Sequence, residues 1–312
     1  MKTSNTTRRL RHEGLLGPAG PSNSTLYRYA RTRRPGLNAA SKERRSFEAP
    51  YAGSLWQVDF MYGPFLPCKG PDGRYRKKQT FLLAVIDDHS RLLCHGQFYF
   101  RQDLLTYVDA LRTACRKRGV PERVYSDNGA VFRSPQVKRI IAELGSTTPH
   151  TAVGDAPPRG KIERLFKNVQ DSLLNYLLEL APPSNIDELN RQFWRWMEQD
   201  YNHAVHSELG CTPMERWLAS AYKVRLLSAE AEDTAFLFHA TRKVSKDGTI
   251  RLNGRRLETD WTLAGKKVEL RYDPFGSDRV LVYFQGQCFG AAHTLDRQIN
   301  ATLPRHRKES QR

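Results

Sequence analysis

The pattern of apolar positions predicts three strands early in the chain. Residues 55–62, 80–86 and 92–100 are apolar runs of strand length, and the second is apolar enough to be buried on both faces of a sheet. The short connections between these runs favour an antiparallel meander. Residues 68–78, which combine glycines with lysines and arginines, are interpreted as a turn.

Helical spacing begins after the third strand. Residues 103–118 repeat apolar side chains every three or four positions and stop at Gly119, and a second helix covers 134–144 before Gly145. A short strand at 123–126 lies between the two helices. This order requires the fourth strand to lie parallel to an earlier one through a helical crossover, which is typical of an α/β core.

The second half of the chain is predicted to be helical at first and then β-rich. A loop of prolines and glycines at 149–160 precedes a long helix from Gly160, and another helix covers about 186–201. Beyond about residue 235, turn pairs such as Asn253-Gly254 separate short strands, which predicts a small all-β barrel. The expected regions are a basic arm or partial helix-turn-helix at 1–48, a core at 49–222, the barrel at 236–292 and a basic tail at 293–312.

The charge balance narrows the choice of partners. The 312 residues include 50 Lys and Arg against 33 Asp and Glu, a formal charge of +17, which favours a polyanion such as nucleic acid. Five dispersed cysteines without a Cys-x-x-Cys pair are typical of reduced thiols in a cytosolic protein. The sequence shows no apolar run of membrane-spanning length, no signal peptide and no glycine-rich ATP-binding loop.

The N-terminal region offers two interpretations. Residues 22–29 begin with Ser and Thr, which favours a capped short helix similar to the recognition helix of a helix-turn-helix. On it and its tail, Arg28 and Arg31 are candidates for phosphate contacts. A disordered basic arm explains the same composition equally well.

Three acidic residues are candidates for a divalent-metal site. Asp59 lies within an apolar strand, Asp127 ends a strand, and Glu163 lies in the first turn of a helix. Taken singly, they are more simply an exposed strand residue, a turn former and a helix-start charge. Taken together, two strand carboxylates in a parallel pair and a third on a helix packed across that edge would suit Mg²⁺ or Mn²⁺ in phosphoryl transfer.

A row of cations accompanies the third acid. Lys161, Arg164 and Lys167 recur every three residues, away from the apolar face of the same helix, where they could reach phosphates. For Lys167, a solvated basic face is an equally simple interpretation.

The sequence around these acids resembles a known family. Residues 55–60 (LWQVDF), 125–132 (YSDNGAVF) and 160–166 (GKIERLF) resemble the three motifs of DDE transposases and retroviral-type integrases. Thirty-five residues separate Asp127 from Glu163, the spacing that this family commonly shows. Residues 201–217 resemble the segment after the core in bacterial insertion-sequence transposases, and residues 236–290 are similar to the C-terminal barrel of Mu-type transposases. The chain departs from the retroviral pattern in having no His/Cys zinc-binding N-terminal domain.

The resemblance implies an α/β, RNase H-like core, with a mixed five-stranded sheet and flanking helices. Asp59, Asp127 and Glu163 would be its catalytic residues and the ligands of two Mg²⁺ or Mn²⁺ ions. The expected reaction is cleavage at the ends of a mobile element, followed by attack of the freed 3′-OH on target DNA without a covalent protein–DNA intermediate. The expected protein is a homo-oligomer assembled on DNA, in the bacterial cytoplasm and associated with the nucleoid. Two alternatives stay open: an RNase H-like nuclease that does not join DNA, and a non-catalytic or truncated DNA-binding relative.

Overall fold

The computed structural model describes residues 13, 22, 25, 47–127, 129–149, 160–276 and 279–295. In the N-terminal region, the backbone N–H of Thr25 donates to Ser22 Oγ at 3.2 Å, as in the helix cap that the sequence predicts there. Arg28 and Arg31 lie outside the described residues, so their role in DNA binding stays a prediction.

The core contains a mixed sheet with the strand order β3–β2–β1–β4. Its strands are β1 (Trp56–Lys69), β2 (Tyr75–Asp87), β3 (Leu93–Tyr99) and β4 (Val124–Ser126). The first three pair antiparallel and β4 pairs parallel with β1, which confirms both the meander and the crossover. Where a fifth strand is expected, the described residues hold only a parallel bridge between Arg123 and Thr147. Pro149 follows two residues later and has no N–H with which to extend a ladder.

The segment at 68–78, interpreted above as a turn, is mostly strand. β1 continues to Lys69 and β2 begins at Tyr75, so the turn itself covers only the residues between them. Gly73 supplies the left-handed conformation that this turn needs, with φ 76°. Both faces of this ribbon carry many exposed residues, so no alternation of apolar residues marks it in the sequence. We call residues 62–81 the distal hairpin.

Helices cover both faces of the core sheet. The helices are α1 (Leu104–Arg118), α2 (Pro135–Glu143), α3 (Gly160–Asn168), α4 (Asn175–Leu180), α5 (Ile186–Arg195), α6 (Pro213–Leu218) and α7 (Ala229–Ala235). π-helical turns follow α3 at Val169–Leu174 and α5 at Trp196–Asp200. Leu83 and Val85 of β2 pack with α1 and α2, whereas Leu82 and Ile86 pack with α3 and α5. We call these two faces the α1 side and the α3 side.

Side-chain amides cover the outer edge of β3. Asn190 accepts a hydrogen bond from the N–H of Phe98 at 2.7 Å and donates one to its carbonyl at 3.1 Å. Asn202 does the same with Leu93, at 3.0 and 3.2 Å. Because both asparagines are buried, these bonds satisfy edge groups that water cannot reach.

The C-terminal part of the described chain is a six-stranded antiparallel sheet in the order β5–β8–β9–β10–β7–β6. Its strands are β5 (Phe238–Lys243), β6 (Thr249–Leu252), β7 (Arg255–Glu258), β8 (Lys267–Tyr272), β9 (Val280–Phe284) and β10 (Gln287–Thr294). The Nε of Arg242 on β5 donates to the carbonyl of Arg251 on β6 at 3.1 Å, so the two end strands approach each other and the sheet is barrel-like. This confirms the predicted β module.

Apolar and ionic contacts join this barrel to the core. Phe236 and Phe238 pack into the cluster on the α1 side of the core sheet. Arg112 on α1 donates to Glu232 at 2.7 Å and to Asp273 at 3.0 Å. Among the described residues, no helix has both the length and the apolar character needed to cross a membrane.

The amide cover of β3 leads to a stability prediction. Asn202→Ala would leave the buried N–H and carbonyl of Leu93 without partners, and an unmade buried hydrogen bond costs about 1–3 kcal/mol. We expect a loss of about 2 kcal/mol in the free energy of unfolding, measured by urea denaturation. The exposed Asn175→Ala is the control and should change stability by less than about 0.5 kcal/mol. Equal stability of the two variants would contradict this role of Asn202.

Candidate active site

Asp59 and Asp127 lie at neighbouring positions of the parallel pair β1–β4. Gln57 pairs with Tyr125 and Val58 with Ser126, so the next step of this register sets Asp59 beside Asp127. Adjacent strands are about 4.8 Å apart, and paired residues of a parallel ladder point to the same face. The expected approach of the two strand carboxylates therefore agrees with the strand register.

The face on which these carboxylates lie follows from their neighbours. Val58 and Phe60 pack on the α1 side, and Met61 packs on the α3 side. Since side chains alternate along a strand, Asp59 points to the α3 side, together with Gln57 and Met61. The two carboxylates therefore lie on the face that α3 covers.

Each aspartate accepts a hydrogen bond from a nearby backbone N–H, Asp59 within β1 and Asp127 just after β4. Asp59 Oδ1 accepts from the N–H of Phe60 at 2.8 Å, and Asp127 Oδ1 accepts from the N–H of Gly129 at 2.7 Å. A Cβ at position 129 would lie 2.7 Å from Asp127 Oδ1, closer than a side chain can approach. Gly129 therefore permits the tight turn at the end of β4.

Glu163 lies on the helix that packs over the same face. Ile162 and Leu165 anchor α3 on the α3 side of the sheet, while the Glu163 side chain is exposed in the first turn. Within the described residues, no three His, Cys, Asp or Glu side chains are grouped closely enough to hold a metal ion. The ladder between β1 and β4 ends at Val58 and Ser126, the residues before Asp59 and Asp127, and α3 carries Glu163 over the same face. The convergence of the three acids into a metal site stays a prediction.

A buried acidic turn lies next to this site. Asp87 ends β2 and Asp88 begins the turn to β3, and both side chains are fully buried. Asp87 accepts hydrogen bonds from the N–H of Gly53 and from the N–H and hydroxyl of Ser90, at 2.6–2.8 Å. Burial raises the pKa of Asp87, and the hydrogen bonds from Ser90 act in the opposite direction.

Asp88 joins three parts of the chain that surround the site. Its carboxylate accepts from the N–H of Ala49 and from Gln57 Nε2, both at 2.7 Å, and from Lys161 Nζ at 2.6 Å. Gln57 precedes Asp59 by two residues on the same face of β1, and Lys161 precedes Glu163 by two residues on α3. Asp88 therefore ties the strand of one candidate ligand to the helix of another.

The cations of α3 do not form the single row that their spacing predicts. Lys161 is only 12% exposed and faces Asp88, and burial lowers its pKa while the bond to Asp88 opposes that shift. Arg164 is exposed and forms an ion pair with Glu208, and Lys167 is exposed. A spacing of three residues falls short of a helical turn by about 60°, so the direction of the side chains drifts along the row. Their role in DNA binding stays a prediction, with Lys161 turned inward.

Comparison with known proteins identifies two domains. Residues 49–156 match the integrase core domain family, and residues 233–289 match the Mu transposase C-terminal family. The chain thus contains an integrase core domain joined to a Mu transposase C-terminal domain. Both matches agree with the resemblance to DDE transposases and integrases that the three motifs indicate.

Particular relatives share part of their length with this chain. The transposase for transposon Tn552 of Staphylococcus aureus is 25% identical over 271 residues, which cover 80% of this chain and 55% of that protein. The putative transposase for insertion sequence element IS5376 of Geobacillus stearothermophilus is 27% identical over 179 residues, 54% of this chain and 42% of that protein. The chain spans about half the length of the curated relatives it matches.

Solved structures with a partly similar backbone fold include proteins from two viral systems. The HTLV-2 integrase catalytic core domain in complex with magnesium is 19% identical, covering 55% of this chain and 99% of that one, with a TM-score of 0.42. A chain of the simian T-cell lymphotropic virus intasome in complex with PP2A regulatory subunit B56 gamma is 13% identical, covering 79% and 81%, with a TM-score of 0.44.

The buried pair between Lys161 and Asp88 leads to a second prediction. Lys161→Met keeps the methylene chain but leaves the Asp88 carboxylate without its cation, and breaking a buried ion pair costs about 3–5 kcal/mol. We expect a loss of that size in the free energy of unfolding, together with faster exchange of the hydrogen-bonded amides of α3.

Lys167→Met is the matched control, since Lys167 lies on the same helix and is exposed. It should change stability by less than about 0.5 kcal/mol. The double variant Lys161→Met/Asp88→Asn should recover part of the loss, because a neutral amide is cheaper to bury than an unpaired carboxylate. If both lysine variants are equally stable, the pair does not hold α3.

Proposed function

We propose that this chain is the catalytic part of a DDE transposase, which cleaves the DNA ends of a mobile element and joins them to target DNA. The observation that supports the proposal is the parallel register of β1 and β4, which runs to Val58 and Ser126, the residues just before Asp59 and Asp127. The helix that carries Glu163 covers the same side of the sheet. The integrase core match at 49–156 supports the same reaction class.

The donor atoms at this site suit divalent cations of the magnesium type. Mg²⁺ and Mn²⁺ prefer carboxylate oxygens, and Asp59, Asp127 and Glu163 would hold two such ions. When bound, two ions supply activation of the attacking hydroxyl and charge neutralisation at the phosphate. Asp59 and Asp127 are both half-buried, and two such carboxylates brought together at the end of the ladder would need a cation to offset their repulsion.

Asp88 and Gly129 would not contact the DNA but would hold the three acids in position. Asp88 orients β1 through Gln57 and α3 through Lys161, so it is a positioning residue for Asp59 and Glu163. Gly129 allows the turn that holds the Asp127 carboxylate at the end of β4. Positional errors of about 1 Å are costly in phosphoryl transfer, because in-line attack depends on alignment.

The charge of the chain fits the proposed partners. A formal charge of +17 favours binding to the phosphate backbone of element ends and target DNA. Because one chain must act at two ends and a target, we expect a homo-oligomer assembled on DNA, in the bacterial cytoplasm and associated with the nucleoid.

Substitution of the three acids tests the proposed reaction. We substitute each acid by its amide, in the variants Asp59→Asn, Asp127→Asn and Glu163→Gln. Each variant should lose more than about 100-fold in Mg²⁺-dependent cleavage and joining, a larger loss of activity than substitution of a residue that only supports a metal ligand causes. The assay uses duplex DNA from the ends of the element that flanks the coding sequence, with cleaved and joined products separated by electrophoresis. Glu179→Gln, an exposed acid on α4, is the control and should leave both steps unchanged.

The outcomes separate the alternatives. Cleaved ends that never become linked to target DNA would indicate an RNase H-like nuclease. A DNA affinity that is the same with and without Mg²⁺, together with no cleavage, would indicate a non-catalytic relative. Full activity of Asp127→Asn would refute the proposed site.

A further inference from the structure

The distal hairpin extends beyond the strands that flank it. β1 and β2 pair from Trp56 and Asp87 as far as Lys69 and Tyr75. On its other edge, β2 pairs with β3 only as far as Phe81, and β4 pairs with β1 only near its start. Most of residues 62–81 is therefore a two-stranded ribbon without a neighbouring strand among the described residues.

One face of this ribbon carries exposed aromatic residues. Leu66 packs on the α3 side of the sheet. Because side chains alternate along a strand, Phe65 and Pro67 point to the opposite face, as do Gln79 and Lys77, which pair with them on β2. This open face includes Phe65 and the pair of Lys69 with Tyr75. Tyr62 is 71% exposed, Phe65 61% and Tyr75 71%, although the burial of aromatic side chains is normally a main source of stability.

The ribbon is also strongly basic. Its exposed cations are Lys69, Arg74, Arg76, Lys77 and Lys78. The only acid of the distal hairpin, Asp72, pairs with Arg76 at 2.6 Å. Lys69, Arg74 and Lys77 form no ion pair with any residue in the described part of the chain. Tyr62 packs on Phe81, and Lys78 lies over the ring of Phe100. The folding of the ribbon does not explain the cations Lys69, Arg74 and Lys77 or the exposure of Phe65 and Tyr75.

We propose that the distal hairpin is a binding arm for duplex DNA, an inference that rests on the proposed function. Its cations would contact phosphates, and its aromatic side chains would pack on sugars and base edges, since a two-stranded ribbon fits the major groove. A second copy of this chain is a poorer occupant, because both surfaces would be positively charged.

The length of the arm sets where it meets the DNA. Lys69 lies ten residues beyond Asp59 on β1, which corresponds to roughly 33 Å at about 3.3 Å per residue. One turn of B-DNA is about 34 Å, or about 10 base pairs. The arm therefore contacts DNA about one helical turn from the phosphodiester that reacts at Asp59.

Removal of the cations tests the inference. For the full-length triple variant Lys69→Ala/Arg74→Ala/Lys77→Ala, the salt dependence of binding to an element-end duplex should become shallower. We expect the slope of log K against log [salt] to fall by roughly 2–3, about 0.9 for each phosphate that the variant no longer neutralises. Hydroxyl-radical footprinting should show no protection about 10 base pairs from the cleavage position.

Matched variants control for charge and folding. Lys138→Ala/Arg191→Ala/Lys246→Ala removes the same charge from exposed positions elsewhere and should retain the footprint at that position. Lys69→Arg/Arg74→Lys/Lys77→Arg should restore the slope and the footprint. The thermal midpoints of all variants should match that of the unaltered protein, since the substituted side chains are exposed.

The results distinguish failure of this inference from failure of the proposed function. If the unaltered protein cleaves DNA and the hairpin variant keeps the slope and footprint of the control, the arm does not bind DNA. A changed sedimentation of the hairpin variant without DNA, with an unchanged footprint, would assign the surface to protein contacts and overturn the inference. If the unaltered protein binds DNA without cleaving it, the proposed function fails, and the footprint still decides the role of the arm.

Discussion

The core depends on one buried carboxylate, that of Asp88. An ionised carboxylate without access to water is tolerated only with a counter-charge and with hydrogen bonds to both oxygens. Three parts of the chain meet this demand: the backbone before β1 at Ala49, the side chain of Gln57 on β1, and Lys161 at the start of α3. Because each donor is held elsewhere by apolar packing, the carboxylate fixes how the helix lies across the sheet. The candidate acids lie two residues from two of these donors.

Apolar packing and ion pairs together hold the barrel to the core, whereas Asp88 acts through ionic and hydrogen bonds alone. Phe236 and Phe238 continue the apolar cluster on the α1 side, so the chain enters β5 as part of the core. The guanidinium of Arg112 then joins Glu232 and Asp273, and all three side chains are at least three-quarters buried. Ion pairs in such positions depend on good geometry and specify an arrangement more than they stabilise it. The junction therefore combines an apolar anchor with a directional polar contact to α1.

Much of this architecture could be predicted from local sequence, and the exceptions have physical causes. The meander, the helix that follows Asp103 and the parallel fourth strand are encoded by periodicity and by capping residues close in sequence. The distal hairpin was missed because most of it lacks a buried face, so no period-two pattern exists there. A short connection between the second and third strands was predicted, but the cation that matches the buried Asp88 there is Lys161, 73 residues away. The inward direction of Lys161 follows from the same distant contact. The parallel pairing of β1 with β4 just before Asp59 and Asp127 could be expected from strand order, whereas the convergence of these two acids with Glu163 stays a prediction.

The amides of Asn190 and Asn202 have a consequence for how copies of this chain can combine. An exposed sheet edge can recruit a strand from another molecule, which is a common route to dimers and to aggregates. On β3, the main-chain groups of Leu93 and Phe98 are already bonded to side chains from the helical layer. Asn190 lies on α5, and Asn202 lies in the 3-10 turn Tyr201–His203. The core sheet therefore cannot add a strand at this edge unless both segments move away from β3. Assembly at this edge that leaves the fold intact has to use contacts between side-chain surfaces, which can be made and broken without unfolding the core.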